Sequence, residues 1–186
     1  EAESRQFVTE YINKKGEFDG IDRIYFTLGL NSRDYGDDKH TLRFLKKALR
    51  STKDRDIKNT VETVLGDYYY NDKKFYLAIK YYESILKDEK VEWWTKYGYN
   101  LAWCYLKNKK HAKAIVLLKE VVKKSKTDGY IDYSRTALDK MGIFYAYAHK
   151  EYEGVKYLLK ATKKPAPYLK NMAVFLIGRE DNKKAE

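Results

Sequence analysis

The chain has 186 residues, 44% of them hydrophobic, and a formal net charge of +11. That apolar fraction can fill a core, which excludes a generally disordered chain. The longest apolar run, Met172 to Ile177, is far too short to cross a bilayer as a helix, and the single cysteine excludes an internal disulfide.

Two prolines and ten glycines suit long helices better than many turns. The chain opens at Glu1 without a methionine, so a processed or trimmed piece is expected. The compartment stays open: cytoplasmic or, if a signal peptide was removed, extracytoplasmic. Residues 1–21 are expected to be a partial repeat or a capping helix, with Ser4, Val8 and Tyr11 at helical offsets and Gly16 to Gly20 leading onward.

A framework then recurs. Residues 22–58 carry Leu28-Gly29, Ser32, Thr41, Leu45 and Ala48. Residues 59–94 carry Leu65-Gly66, Tyr69, Ala78 and Tyr82 at the same offsets. Residues 95–134 repeat it as Leu101-Ala102, Tyr105, Ala114 and Leu118. Residues 135–165 repeat it as Met141-Gly142, Tyr145, Gly154 and Leu158. A partial copy over 166–186 offers Met172-Ala173, Leu176 and Ala185. The leading residues 28, 65, 101, 141 and 172 stand 37, 36, 40 and 31 residues apart. A near-constant period of this size marks a helical repeat.

Within each copy the apolar positions fall at helical spacing on facing sides of two helices. Asn71 to Lys74 and Asn108 to Lys110 are the polar breaks between them. Small residues at Gly66, Ala102, Gly142 and Ala173 suit close helix approach. Tyr69 is the expected framework ring, answered from the second helix by Tyr82. The longest interval implies a longer link over 124–130.

These offsets resemble the tetratricopeptide repeat (TPR), a unit of about 34 residues with a Leu-Gly, Tyr, Ala and Phe framework. The resemblance covers nearly the whole chain. This sequence departs from the family where a large aromatic precedes the Leu by three residues: only Tyr25 matches, with Glu62, Gly98, Leu138 and Leu169 elsewhere. The closing proline is met only around Pro165 and Pro167. The resemblance implies an all-α fold, an α-α superhelix or solenoid of antiparallel helix pairs in a single domain. The array is expected to be a fragment of a longer one, with further repeats or a partner covering the C-terminal helix.

The resemblance also implies a protein or peptide partner held in a groove lined by the first helix of each pair. The register assigns Asp67, Tyr70 and Asn71 to that groove in the second copy. Tyr99, Asn100 and Trp103 follow in the third, with Leu106 and Lys107. Asp139, Lys140, Ile143 and Tyr147 follow in the fourth, with Ala146. One use of the family's groove is a clamp for a C-terminal carboxylate. Asn100 and Lys140 match it, while Thr63, Asp67 and Thr136 do not, and Asp67 would repel the carboxylate. A structural role in oligomerisation or assembly is the alternative.

No chemistry stands beside this. His40, His111 and His149 are isolated, and Asp34 to Asp38 lacks the spacing of a calcium loop. There is no phosphate loop and no nucleophile motif. Cys104 reads as a small buried hydrophobe. No enzyme activity, cofactor or metal is expected. Lysine among aromatics can mark nucleic-acid or anionic-surface binding. Here the aromatics recur at framework positions and arginine, the better phosphate fork, is scarce, so that reading is subordinate.

Overall fold

The computed structural model describes the backbone of residues 2–16 and 18–185 and the side chains of residues 6–16 and 18–180. Among the described residues there are ten helices and no strand. Contacts divide the chain into a first unit ending at Tyr68 and a second beginning at Tyr69, a division that falls within α4 (Arg55–Asn71).

The first unit holds α1 (Ala2–Lys15), α2 (Ile21–Asp34) and α3 (Asp38–Ser51). Helix α2 buries Ile21, Tyr25, Leu28 and Ser32, a stripe that repeats every three or four residues and so falls on one face. Helix α3 answers with Thr41, Phe44, Leu45 and Ala48. Tyr25 stacks on Phe44, ring centroids 6.4 Å apart. A Cβ on Gly29 would stand 2.7 Å from the Leu45 side chain, so only glycine lets the two helices meet there. Asp37 starts α3 by accepting the His40 backbone N–H at 3.1 Å, which satisfies one of the free donors at a helix start. Asp54 does the same for α4, accepting from the N–H groups of Asp56 and Ile57.

The second unit continues with α5 (Phe75–Ile85), α6 (Trp94–Lys107), α7 (His111–Lys124), α8 (Ser134–Tyr147), α9 (Glu151–Ala161) and α10 (Ala166–Ala185). Successive helices pack as antiparallel neighbours, α5 on α6, α6 on α7, α7 on α8 and α8 on α9. The framework residues Leu101, Ala102, Tyr105, Ala114, Leu118, Met141, Tyr145 and Leu158 are all buried. Burying a leucine such as Leu118 contributes roughly 1.5–3 kcal/mol. Gly154 is a crossing point, since a Cβ there would stand 2.8 Å from the Tyr145 Cβ.

The polar breaks become identical tight turns. Lys73, Lys109 and His149 adopt left-handed φ angles of 58°, 58° and 54°. Each following residue returns its N–H to the carbonyl five residues back, as in Lys110 to Tyr105 at 2.8 Å. The extra length lies between α7 and α8 and is tied down. Thr95 donates to the Ile131 carbonyl at 2.6 Å, Tyr130 donates to the Glu89 carbonyl at 2.8 Å, and Ser125 accepts the Tyr133 N–H at 3.0 Å.

Two packing details differ from the sequence expectation. Tyr69 stacks on Tyr81 at 5.8 Å, while Tyr82 stacks on Tyr97 at 6.2 Å. One residue along a helix is about 100° around it, so the crossing geometry selects the neighbouring ring. Ala173 is exposed, and Met172 instead seats against Gly142. Helix α10 packs chiefly on α8 and runs unbroken through Ala185.

Candidate functional site

Tyr99 and Trp103 lie one helical turn apart on α6, so their rings meet edge-on, 6.3 Å apart at 78°. Tyr99 also meets Tyr133, just before α8, at 5.8 Å. Trp103 meets Phe144 of α8 edge-on at 4.9 Å, and the Lys107 ammonium lies 5.9 Å from its ring centre, a cation–π distance. Burial holds the Tyr99 phenol above its ordinary range. A Trp103 hydrogen bond opposes that, and the nearby Tyr133 and Asp139 push the same way as burial. Asp139 in turn accepts from the Asn171 amide of α10 at 3.3 Å. Tyr147, at the end of α8, sits 5.5 Å from Phe175 and 6.5 Å from His111.

Tyr99, Trp103 and Asp139 are thus brought together, with Tyr147 farther along α8. The other residues assigned from sequence stand differently. Asn100 donates to the Tyr82 hydroxyl at 3.3 Å, a packing contact towards α5. Tyr70 is half-buried, edge-on to Phe75 at 5.8 Å and to Tyr82 at 6.4 Å. Asn71 is exposed at the end of α4, and Asp67 is half-buried in the first unit. Lys140 and Ile143 are half-buried on α8, whereas Leu106 and Ala146 are buried outright.

Three participants escaped the sequence reading: Tyr133, Asn171 and Phe175. Asn171 stands immediately before Met172, as Asn100 and Lys140 stand before Leu101 and Met141. The repeat frame therefore carried its signal. Tyr133 lies in the long link, where the frame gives no register.

The cluster can stack, donate and accept hydrogen bonds, and present a cation; it holds no nucleophile with a base. Cys104 is fully buried, and burial pushes its thiol up to about 12, so it stays protonated at neutral pH. Among the described residues, no three His, Cys, Asp or Glu are grouped to hold a metal ion, and no helix is long and apolar enough to cross a membrane.

No protein-family model and no curated protein matches the chain. Among solved structures it is similar to a variant of a Podosopora anserina protein assigned as a kinesin light chain with nearly identical TPR-like repeats. The TM-score is 0.62 at 14% identity, over 91% of this chain and 92% of that one. At such identity the likeness is one of fold. The chain has the fold of a TPR-like helical repeat, and a fold of this kind does not by itself fix a function.

Proposed function

We propose that this chain is a non-catalytic interaction module whose α6–α8–α10 face binds a peptide or partner protein. The observation that carries the reading is the Tyr99–Trp103–Tyr133 cluster beside Asp139 and Lys107. Aromatic rings with polar and charged neighbours are the makings of an interface hot spot. Trp103 is only partly buried and Tyr147 is 39% exposed, so both keep surface to offer a partner.

Support for a covering element at the C-terminal end comes from a repeated position. Ile79 and Ile115, one residue after the helix-crossing alanines, are buried at 7% and 6% exposure. Their counterpart Val155 on α9 is 36% exposed. Helix α10 also leaves Val174 and Ile177 about 60% exposed, at 61% and 60%. A further helix pair or a partner helix over α9 and α10 is the reading these positions favour.

Affinity capture from the native source tests the module, comparing wild type with Trp103→Ala and Lys107→Glu. Loss of one captured chain in both variants, with the melting temperature of Lys107→Glu unchanged, is the expected result. Capture that is indifferent to both, together with loss of an oligomer, would instead favour an assembly spacer.

A further inference from the structure

The basic charge of the chain is concentrated on two helices. Residues 109–126 and 150–164, which hold α7 and α9 with their turns, carry twelve lysines, three glutamates and no aspartate. That difference of nine is most of the whole chain's +11. Glu153 is met by Lys150 at 3.2 Å and Glu151 by Arg179 at 3.8 Å, while Lys124 is met by Glu89 at 3.3 Å. Glu120 is then the one carboxylate of these segments left to set against Lys113, Lys119, Lys123, Lys156, Lys160 and Lys163. All six lysines are exposed and none makes an ion pair among the described residues. The two helices lie side by side. The Lys119 ammonium of α7 stands 5.1 Å from the Tyr157 ring centre on α9, and Lys126 donates to the Ala161 carbonyl at 3.3 Å. A ring face attracts an ammonium without neutralising it, so Lys119 stays a cation.

Large apolar side chains stand among these lysines. Val116 is 65% exposed, Tyr152 80% and Leu159 56%. Tyr152, Lys156 and Leu159 are spaced by four and three residues, so ring, ammonium and methyl groups share one face of α9. A further helix pair would not cover that face. The three residues stand two before, two after and five after the crossing residue Gly154. The same offsets from Ala114 give Ala112, Val116 and Lys119, and from Ala78 they give Tyr76, Lys80 and Glu83. All six of these are exposed, although α5 and α7 are each followed by another pair.

We propose that the exposed face of α7 and α9 is a peripheral docking surface for an anionic lipid bilayer. The lysines reach the headgroup phosphates on their long stems, while Tyr152, Leu159 and Val116 enter the interface between them. The apolar chains favour lipid over nucleic acid, because a phosphate backbone gives a leucine or a valine nothing to be buried in. This face is apart from the α6–α8–α10 cluster and does not depend on the reading given to that cluster.

Sedimentation of the full chain with lipid vesicles tests this. Phosphatidylcholine vesicles holding about 30% phosphatidylglycerol should bind at least about tenfold more tightly than phosphatidylcholine alone, and roughly 0.5 M salt should remove most of the difference. Lys156→Glu with Lys160→Glu, both at exposed positions, should weaken binding about tenfold or more. Lys39→Glu with Lys58→Glu makes the same change of net charge at exposed positions of the first unit and should weaken it less than about threefold. Leu159→Ser, which needs no repacking, should weaken it about threefold or more. Equal binding to the two vesicles overturns the proposal, as does an equal loss from the two pairs of lysine variants. So does an undiminished affinity in Leu159→Ser, and duplex DNA bound more tightly than the anionic vesicles would then mark the face as one for nucleic acid.

Discussion

Met172 of α10 lies against Gly142 of α8 so closely that a Cβ on residue 142 would stand 2.5 Å from the Met172 Cβ and 2.8 Å from its Cγ. Neither Cβ can rotate away, so the helices themselves would have to move. Gly142→Ala is therefore expected to destabilise the protein by about 1–3 kcal/mol through overpacking. The roughly 1 kcal/mol of helix propensity that alanine gains over glycine opposes this. Gly178 on α10 has nothing within 4 Å of its would-be Cβ and is exposed. There the propensity gain stands alone, and Gly178→Ala should stabilise by up to about 1 kcal/mol. Denaturant unfolding of the two variants checks the pair. Shifts of the same sign would contradict this seating of α10 on α8.

Four helix turns use one backbone device with different residues. Gly36 holds φ 73°, and Lys73, Lys109 and His149 hold the same left-handed region. A side chain in that region costs roughly 1–2 kcal/mol against the following carbonyl. Lys109→Gly should raise stability by up to about 1 kcal/mol, reduced by the freedom glycine adds to the unfolded chain. Gly36→Lys should lower it by about 1 kcal/mol. Thermal melts decide this, and a lower melting temperature for Lys109→Gly would mean that the turn does not strain its lysine.

Between α2 and α3, Ser32 and Thr41 bury their hydroxyls with no hydrogen-bond partner among the described residues. An unpaired buried hydroxyl is destabilising by roughly 1–3 kcal/mol. Ser32→Ala and Thr41→Val keep most of the shape and remove the unmet group. Each should stabilise by about 1 kcal/mol, measured as a shift in the denaturation midpoint. If both variants lose stability instead, the hydroxyls are bonded through water.

Much of the fold was legible because Tyr69, Tyr105 and Tyr145 stand nine residues before Ala78, Ala114 and Gly154, with polar breaks between. A helix pair with a fixed turn imposes that spacing, and chance seldom keeps it. Legibility ended at the resolution of a single residue. Tyr81 rather than Tyr82 meets Tyr69, and Asn100 turns to Tyr82 while Asn171, at the same offset, turns to Asp139. Offsets select a face of a helix; crossing angles select the side chain on that face. The long link hid Tyr133 from the candidate site for the same reason, since a segment outside the period has no predicted direction.

Alkaline pH should destabilise this protein through buried groups that are neutral only while protonated. Burial pushes the Tyr157 phenol from 10.0 up to about 12, with Tyr145 adding to it. Burial moves the Cys104 thiol from 9.0 up to about 12, against a backbone hydrogen bond that lowers it. Both groups are neutral when protonated, and the folded state favours that form. A folded value raised above the unfolded one gives a contribution that is complete below the unfolded value. It is lost as pH rises through the folded value. For Cys104 the loss begins near pH 9 and for Tyr157 near pH 10, and both are complete beyond about 12. Denaturation midpoints should accordingly be flat from neutral pH to about pH 9 and fall steeply above it. Tyr157→Phe keeps the ring packing and removes the titrating hydroxyl, so its midpoint should fall less steeply than wild type between pH 10 and 12. Cys104→Ala should start lower because of the cavity it leaves, yet lose less of its midpoint between pH 9 and 12. The slopes, rather than the absolute midpoints, carry the test. Identical slopes in all three proteins would mean that neither group changes its proton affinity on folding.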